Sequence, residues 1–145
     1  MKPKIDSLES DRLLMEVRQE HHAYQVYELF CENDLYHFIN RVEPKSAARL
    51  AEGFKSAESL TSPDGKHWWL GWVAKAKESG EPVGLFETTI INGDAFIAYT
   101  VFKRHRGKGM AVEATKAMID FISKNFEINR FVIEMDTRNR ASVKV

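Results

Sequence analysis

The sequence predicts one α/β domain built on a mixed sheet, an antiparallel meander followed by a β-α-β crossover. Three observations predict it. Strand-like runs at Trp68 to Lys77, Val83 to Ile91 and Ala95 to Phe102 follow one another so closely that they must pair antiparallel. A helical stripe comes next. A β-rich run, Phe131 to Thr137, then closes a strand-helix-strand unit, and such crossovers place their second strand parallel to the first, here Ala95–Phe102.

Each element has its own signal. Arg12 to Arg18 (RLLMEVR) reads as a first strand. From Ala23 the apolar residues fall at Ala23, Val26, Tyr27, Phe30 and Cys31, a helical spacing. Ala47, Leu50, Ala51 and Phe54 repeat it behind Pro44, which suits a first-turn position, with Ser46 close by. Phe54 to Lys66, with SPDG near its end, reads as a loop. Glu78-Ser79-Gly80-Glu81-Pro82 separates the first two meander strands, and Asn92-Gly93-Asp94 is a hairpin signal between the second and third. Met110, Ala114, Ala117, Met118, Phe121 and Ile122 share one face of a helix lasting to about Lys124, with Glu113, Lys116, Asp120 and Lys124 on the others.

The composition bounds the function. At 145 residues the chain suits one core, residues 1–145 forming a single domain. Hydrophobic content of 43% and charged content of 29% are those of a soluble globular protein. Lys and Arg (21) balance Asp and Glu (21), so no global field recruits nucleic acid or an acidic membrane, and an anion site has to be local. Cys31 is the only cysteine, which leaves neither an internal disulfide nor a zinc-ligand pair and suits a cytoplasmic protein. MKPKIDSLESDR lacks the apolar core of a signal peptide, and no apolar run approaches the roughly 20 residues that span a bilayer.

The chemistry concentrates in KRHRGKGMA, where a strand runs into a helix. Helix N-termini carry unpaired N–H groups and a positive partial charge, which a phosphate satisfies together. Gly107 and Gly109 let the backbone close on an anion, and Lys103, Arg104, Arg106 and Lys108 add cations. The bland reading is a solvated basic turn with a glycine cap, or a localisation-like basic cluster. A turn between a buried strand and an amphipathic helix needs neither two glycines nor four cations, which favours the anion site. A dinucleotide fingerprint fails because its third glycine position is Val112, and a Walker loop, G-x-x-x-x-G-K-S/T, is absent.

Arg106-Gly107-Lys108-Gly109-Met110-Ala111 matches the R-x-x-G-x-G/A signature of the GNAT N-acetyltransferase superfamily. IAYTVFKRHRGKGMAVEATKAMIDF resembles the branch of the ribosomal-protein N-terminal acetyltransferases (Rim-type), where GKGYATEA-like sequences recur. ESDRLLMEV is similar to that branch's opening strand, SGEPVGLFE to its third, and RFVIEMDTRNRAS to its last strand running into an N-x-x-S motif.

The resemblance implies a GNAT-like sheet with a cofactor cleft between splayed parallel strands. It implies acetyl-CoA as cosubstrate, without metal. Its pyrophosphate would sit on the amides of Arg106, Gly107, Lys108, Gly109, Met110 and Ala111. Its pantetheine arm would pair with the strand edge at Val101 and Lys103, splayed from the strand around Ile133. Lys103 stands where the family often has proline. The acceptor would be a primary amine, of a protein N-terminus or a small molecule, attacking the thioester directly while a backbone N–H near Val101 stabilises the oxyanion. Asn139 would contact the pantetheine arm, and Ser142 would offer the leaving sulfur a proton. The bland reading of both is a helix cap.

For the base, Glu87 and Glu134 lie on strands. Alternation places Glu87 with Val83, Leu85 and Ile91, where an acid in an apolar row would have a raised pKa; the plainer reading is a paired or rim carboxylate. A water chain would serve as well. Cys31 reads as core, His21 and His22 point apart and make a poor metal pair, and Trp68, Trp69 and Trp72 read as packing before acceptor pocket. The chain ends at Val145, soon after Asn139, whereas family members continue through a helix and closing strands. The expectation is a piece of a longer protein; the other reading is a partner chain, a homodimer included, over the edge at Ile133. A non-catalytic CoA-binding sensor or interaction module is the second functional reading. Nucleic-acid binding through the basic loop is a third, disfavoured by the zero net charge.

Overall fold

The computed structural model describes residues 5–31 and 46–133. Six strands form one sheet in the order of the chain: β1 (Leu8–Glu9), β2 (Leu13–Val17), β3 (Trp68–Ala76), β4 (Pro82–Ile91), β5 (Asp94–Val101) and β6 (Arg130–Ile133). The first five pair antiparallel and β6 pairs parallel to β5, as the crossover requires. Helices α1 (Glu20–Phe30) and α2 (Ala47–Ala57) lie between β2 and β3, and α3 (Met110–Asn125) makes the crossover. β1 was not foreseen, because two residues carry no periodicity. The expected loop from Phe54 begins only after Ala57, since α2 runs on with Phe54 and Ala57 buried on its inner face.

Local chemistry explains the boundaries. Asn92 and Gly93 take φ of 49° and 84° between the paired residues Ile91 and Asp94, the two-residue hairpin turn their side chains favour. The Ser46 side chain accepts from the Arg49 amide at 3.1 Å and caps α2; Pro44 lies outside the described residues. At α1 the cap is a histidine: the Gln19 amide donates to His22 Nδ1 at 2.9 Å, which leaves Nε2–H to donate to Glu16 at 3.0 Å.

The sheet separates two cores. On one face Trp72, Phe86, Ile90 and Ile97 pack under Met118 and Ile122 of α3, with Phe121 edge-on to Trp72 at 5.7 Å. On the other, Val73, Leu85 and Phe102 pack under Val26 and Phe30 of α1 and Phe54 of α2. Strict alternation along β4 fails at one point. Lys75 pairs with Pro82 and Ala74 with Gly84, so Val83 is an extra, bulged residue and joins the α3 core instead of sharing a face with Leu85.

His22 gives the fold a pH dependence. Burial holds its imidazole below its ordinary value, outweighing the pull of Glu16. His105 is held down in the same sense, by burial and then by the charge of Lys108. From about pH 6.5 down to the folded-state values, the unfolded chain takes up protons that the folded chain refuses, so stability falls with pH. We expect a lower urea midpoint at pH 5.5 than at pH 7.5, and a shallower slope in His22→Gln.

Candidate active site

β5 ends at Val101 because Phe102 turns inward, buried edge-on against Phe30 at 5.3 Å. The chain leaves the ladder there and makes a 3-10 turn, Lys103–His105, before Gly109 opens α3. Lys103 is therefore in a turn, not on the strand edge expected for it. Gly107 and Gly109 both have left-handed backbone, φ 76° and 78°, which residues with a Cβ adopt at a penalty of roughly 1–2 kcal/mol. Among the described residues, the amides of Gly107, Lys108, Gly109, Met110, Ala111 and Val112 have no acceptor, and the first recorded bond of α3 is from Glu113 N–H to the Gly109 carbonyl at 3.1 Å. Gly107, Lys108 and Gly109 are exposed, and Met110 and Ala111 half-buried. Consecutive unspent donors at a helix N-terminus are the backbone arrangement that an anion cradle requires.

Arg106 departs from its expected place. Its amide donates to the Lys103 carbonyl at 3.4 Å, closing the 3-10 turn, so the open amides begin at Gly107. Its side chain folds back, Nε donating to the Val101 carbonyl at 3.0 Å. Because Phe102 N–H bonds to Val83 of β4 at 2.8 Å, the neighbouring Val101 N–H and carbonyl face the opposite edge, the one turned toward β6. The described β5–β6 ladder runs only from Asp94↔Arg130 to Ile97↔Ile133. The expected splay beyond Ile133, and with it Glu134, Asn139 and Ser142, lies outside the described residues.

Sequence reasoning missed what holds the loop. Arg12 donates Nη1 to the Lys108 carbonyl at 2.9 Å and Nε to Glu113 at 2.7 Å, while Glu113 also accepts from the Arg12 amide at 2.9 Å and from Ser10 Oγ. Burial pushes the Glu113 carboxyl up, but Ser10 and Arg12 together outweigh it and hold it below the usual range. An acid one turn into α3 is thus neutralised by Arg12. On the far side Glu81 reaches Arg104 and His105 Nε2, both at 3.5 Å. Fixing one carbonyl of the loop fixes where the next amide points. Arg12→Ala should therefore weaken coenzyme A binding by about three- to tenfold, one hydrogen bond's worth, in a calorimetric titration with unchanged circular dichroism.

The second part of the site is a cleft of about 450 Å³ on the α1/α2 face of the sheet, lined by Arg18, Phe54, Trp69, Leu85 and Glu87 among others. Glu87 is not alone in an apolar row. Arg18 Nη1 donates to it at 2.7 Å, so the paired reading holds. Arg18 N–H bonds to the Gly71 carbonyl at 2.9 Å, Gly71 pairs with Glu87, and Glu87 with Ala98. One cross-strand row thus runs from Arg18 through two small residues to the β5 edge, one register step past the last described β5–β6 pair. A Cβ on Gly71 would lie 2.6 Å from Arg18 Cζ, so only glycine lets the guanidinium cross β3 to reach Glu87.

Of the tryptophans, Trp72 is core, Trp68 packs against Phe126, and Trp69 alone lines this cleft. Cys31 is half-buried at the end of α1. The His21 and His22 rings lie 4.1 Å apart rather than diverging, and among the described residues no group of three His, Cys, Asp or Glu could hold a metal ion.

The mixed sheet with its parallel crossover is the fold the resemblance implied, and residues 12–145 match the acetyltransferase (GNAT) domain family. The chain belongs to this family. A relative in Bacillus licheniformis, the uncharacterized N-acetyltransferase p20, is 33% identical over 72 residues, 48% of this chain and 40% of that protein, so the matched stretch spans less than half of it. Among solved structures, a RimL ribosomal-protein alpha-N-acetyltransferase in complex with coenzyme A superposes with a TM-score of 0.79 at 19% identity, over 95% of this chain and 79% of that one. The microcin self-immunity acetyltransferase MccE, in complex with acetyl-CoA and AMP, gives 0.75 at 19%, over 93% and 76%. A putative ribosomal-protein-serine acetyltransferase from Vibrio cholerae gives 0.75 at 19%, over 99% and 81%. At these identities the likeness is one of fold. Among the described residues, no helix of this GNAT chain is long and apolar enough to cross a membrane.

Proposed function

We propose that this GNAT chain is an N-acetyltransferase that uses acetyl-CoA to acetylate a primary amine, of a protein N-terminus or a small molecule, as one cytoplasmic domain over residues 1–145. One observation carries the reading: the run of open amides from Gly107 to Val112, held by two left-handed glycines at the end of a sheet strand. That donor set fits a diphosphate, whose charge it meets with backbone dipoles and with Lys108. The edge at Val101 then receives the pantetheine arm. The distance from Val101 back to Ala98, three residues or roughly 10 Å of strand, leads from the cradle to Glu87.

Acetyl-CoA supplies the activated acyl group: the nitrogen–carbonyl bond forms as the carbon–sulfur bond breaks. Glu87 receives the incoming amine and takes its proton, directly or through a water. The Val101 N–H, facing the β5 edge, polarises the carbonyl. From the resemblance, Ser142 returns a proton to the sulfur and Asn139 steadies the pantetheine.

The test has two stages. Acetyl-CoA should bind the protein in a calorimetric titration, and thiol should be released when an amine is added. Failure to bind coenzyme A overturns the reading. Binding without thiol release across a broad amine panel would instead make the chain a CoA-binding module.

A further inference from the structure

We propose that the cleft takes an acceptor with an aromatic or apolar body and a carboxylate, Gly53 leaving room for the body and Arg18 binding the carboxylate. The proposal deepens the acetyltransferase reading and rests on it.

Gly53 is out of place in its helix. Glycine gives up more backbone freedom in a helix than any other residue, and only proline is less favourable there. Leu50, Gly53, Phe54 and Ala57 recur at the spacing that shares one face of α2, and all four line the cleft. The other three are apolar. No backbone demand explains the glycine, which lies mid-helix and is not among the left-handed residues. Crowding does not explain it either: among the described residues nothing comes within 4 Å of the Cβ it lacks. A larger side chain on this face would stand in the cleft. Gly53 therefore holds open the space between α2 and the sheet, where Phe54, Trp69 and Leu85 line a volume of about 450 Å³, enough for a small molecule with an aromatic ring.

Arg18 supplies the polar end. Its residue is only 8% exposed, and arginine is almost never buried so far unless paired. Nη1 donates to Glu87 at 2.7 Å, and Cζ lies 5.6 Å from the centre of the Phe54 ring. That leaves Nε and Nη2 of a rigid five-donor fork. Neither has a recorded partner, and neither is sealed in: among the described residues the buried side-chain polar atoms without a partner are His105 Nδ1 and Thr115 Oγ1. Since Arg18 lines the cleft, its Nε–Nη2 edge is within reach of a ligand there. Two parallel N–H groups on one edge of the fork match the two oxygens of a carboxylate. The pair with Glu87 stays as it is, and the fit requires no vacant position on Glu87. A neutral amide in the same place would turn its NH₂ toward one of the donors and bring no charge.

The experiment separates the cleft from the chemistry. Two ligands without an amine, 3-phenylpropionate and 3-phenylpropionamide, are titrated calorimetrically into the protein. Phenylalanine and phenethylamine are then compared as acceptors with acetyl-CoA. We expect the acid to bind about tenfold more tightly than the amide, and phenylalanine to have a KM about tenfold below that of phenethylamine. Arg18→Lys, which keeps the charge but not the fork, and Arg18→Ala should bring both ratios to within about threefold. Gly53→Leu should weaken the acid and the amide alike, at least tenfold, while Gly53→Ala raises the urea midpoint and costs less than threefold in binding. Circular dichroism reports the fold of each variant. Equal binding of acid and amide by the unmodified protein overturns the proposal without touching the acetyltransferase reading. So does a folded Gly53→Leu protein that binds both ligands undiminished. Absence of coenzyme A binding or of thiol release overturns that reading instead, and the two titrations, which need neither amine nor coenzyme, still decide what the cleft binds.

Discussion

Replacing Gly107 and Gly109 together by alanine lowers acetyl-CoA affinity by roughly a hundredfold. Both residues are left-handed, at φ 76° and 78°, and each alanine meets a penalty of about 1–2 kcal/mol there. The sum, about 2–4 kcal/mol, is relieved if the loop moves to ordinary backbone angles, and that movement re-aims the amides that form the cradle. At 1.4 kcal/mol per tenfold the loss falls between roughly thirtyfold and several hundredfold. Gly107 separates torsion from crowding, since nothing lies within 4 Å of the Cβ it would gain. Gly107→Asn, which tolerates the left-handed region, should retain much more affinity than Gly107→Ala. Calorimetry with coenzyme A reads both, and an unchanged affinity in the double variant removes the cradle as the binding site.

Changing Glu87 to glutamine slows amine acetylation by about 10²- to 10³-fold at saturating acetyl-CoA, the range expected when a positioned proton acceptor is lost. Glutamine keeps the shape and can still accept from Arg18, so coenzyme A affinity should hold. The charge is gone, however, and Arg18 stays 8% exposed. An uncompensated guanidinium there should lower stability by on the order of 2 kcal/mol, less than for a fully buried pair because the Glu87 side chain is 30% exposed. The pH profile distinguishes proton transfer from mere positioning. If Glu87 takes the amine's proton, the variant's rate recovers as the pH rises toward the amine's own pKa; a parallel loss at every pH leaves Glu87 a structural partner of Arg18.

The loop was legible because its signal is local. Two glycines, four cations and the switch from strand to helix lie within a dozen residues, and backbone chemistry alone leaves the amides of that segment open. The hairpin at Asn92-Gly93 and the capping by Ser46 were legible for the same reason, each feature acting within three residues of its cause. The cleft was not. Arg18 and Glu87 are 69 residues apart, and nothing near either one announces the other. They meet because β2, β3 and β4 pair in a register that sets Arg18, Gly71 and Glu87 side by side, and because Gly71 leaves room for the crossing.

The sequence by itself determined the meander, the parallel crossover and the glycine-opened bend that presents main-chain donors, because periodicity, turn chemistry and left-handed backbone are properties of short segments. Only the tertiary structure decided that Val83 bulges out of its row, that Lys103 leaves the strand edge behind a buried Phe102, and that Glu87 faces a guanidinium. Those outcomes depend on strand register and on which side chains fill the two cores. They are settled by contacts between residues far apart in the chain, and the pattern of any one segment does not carry them.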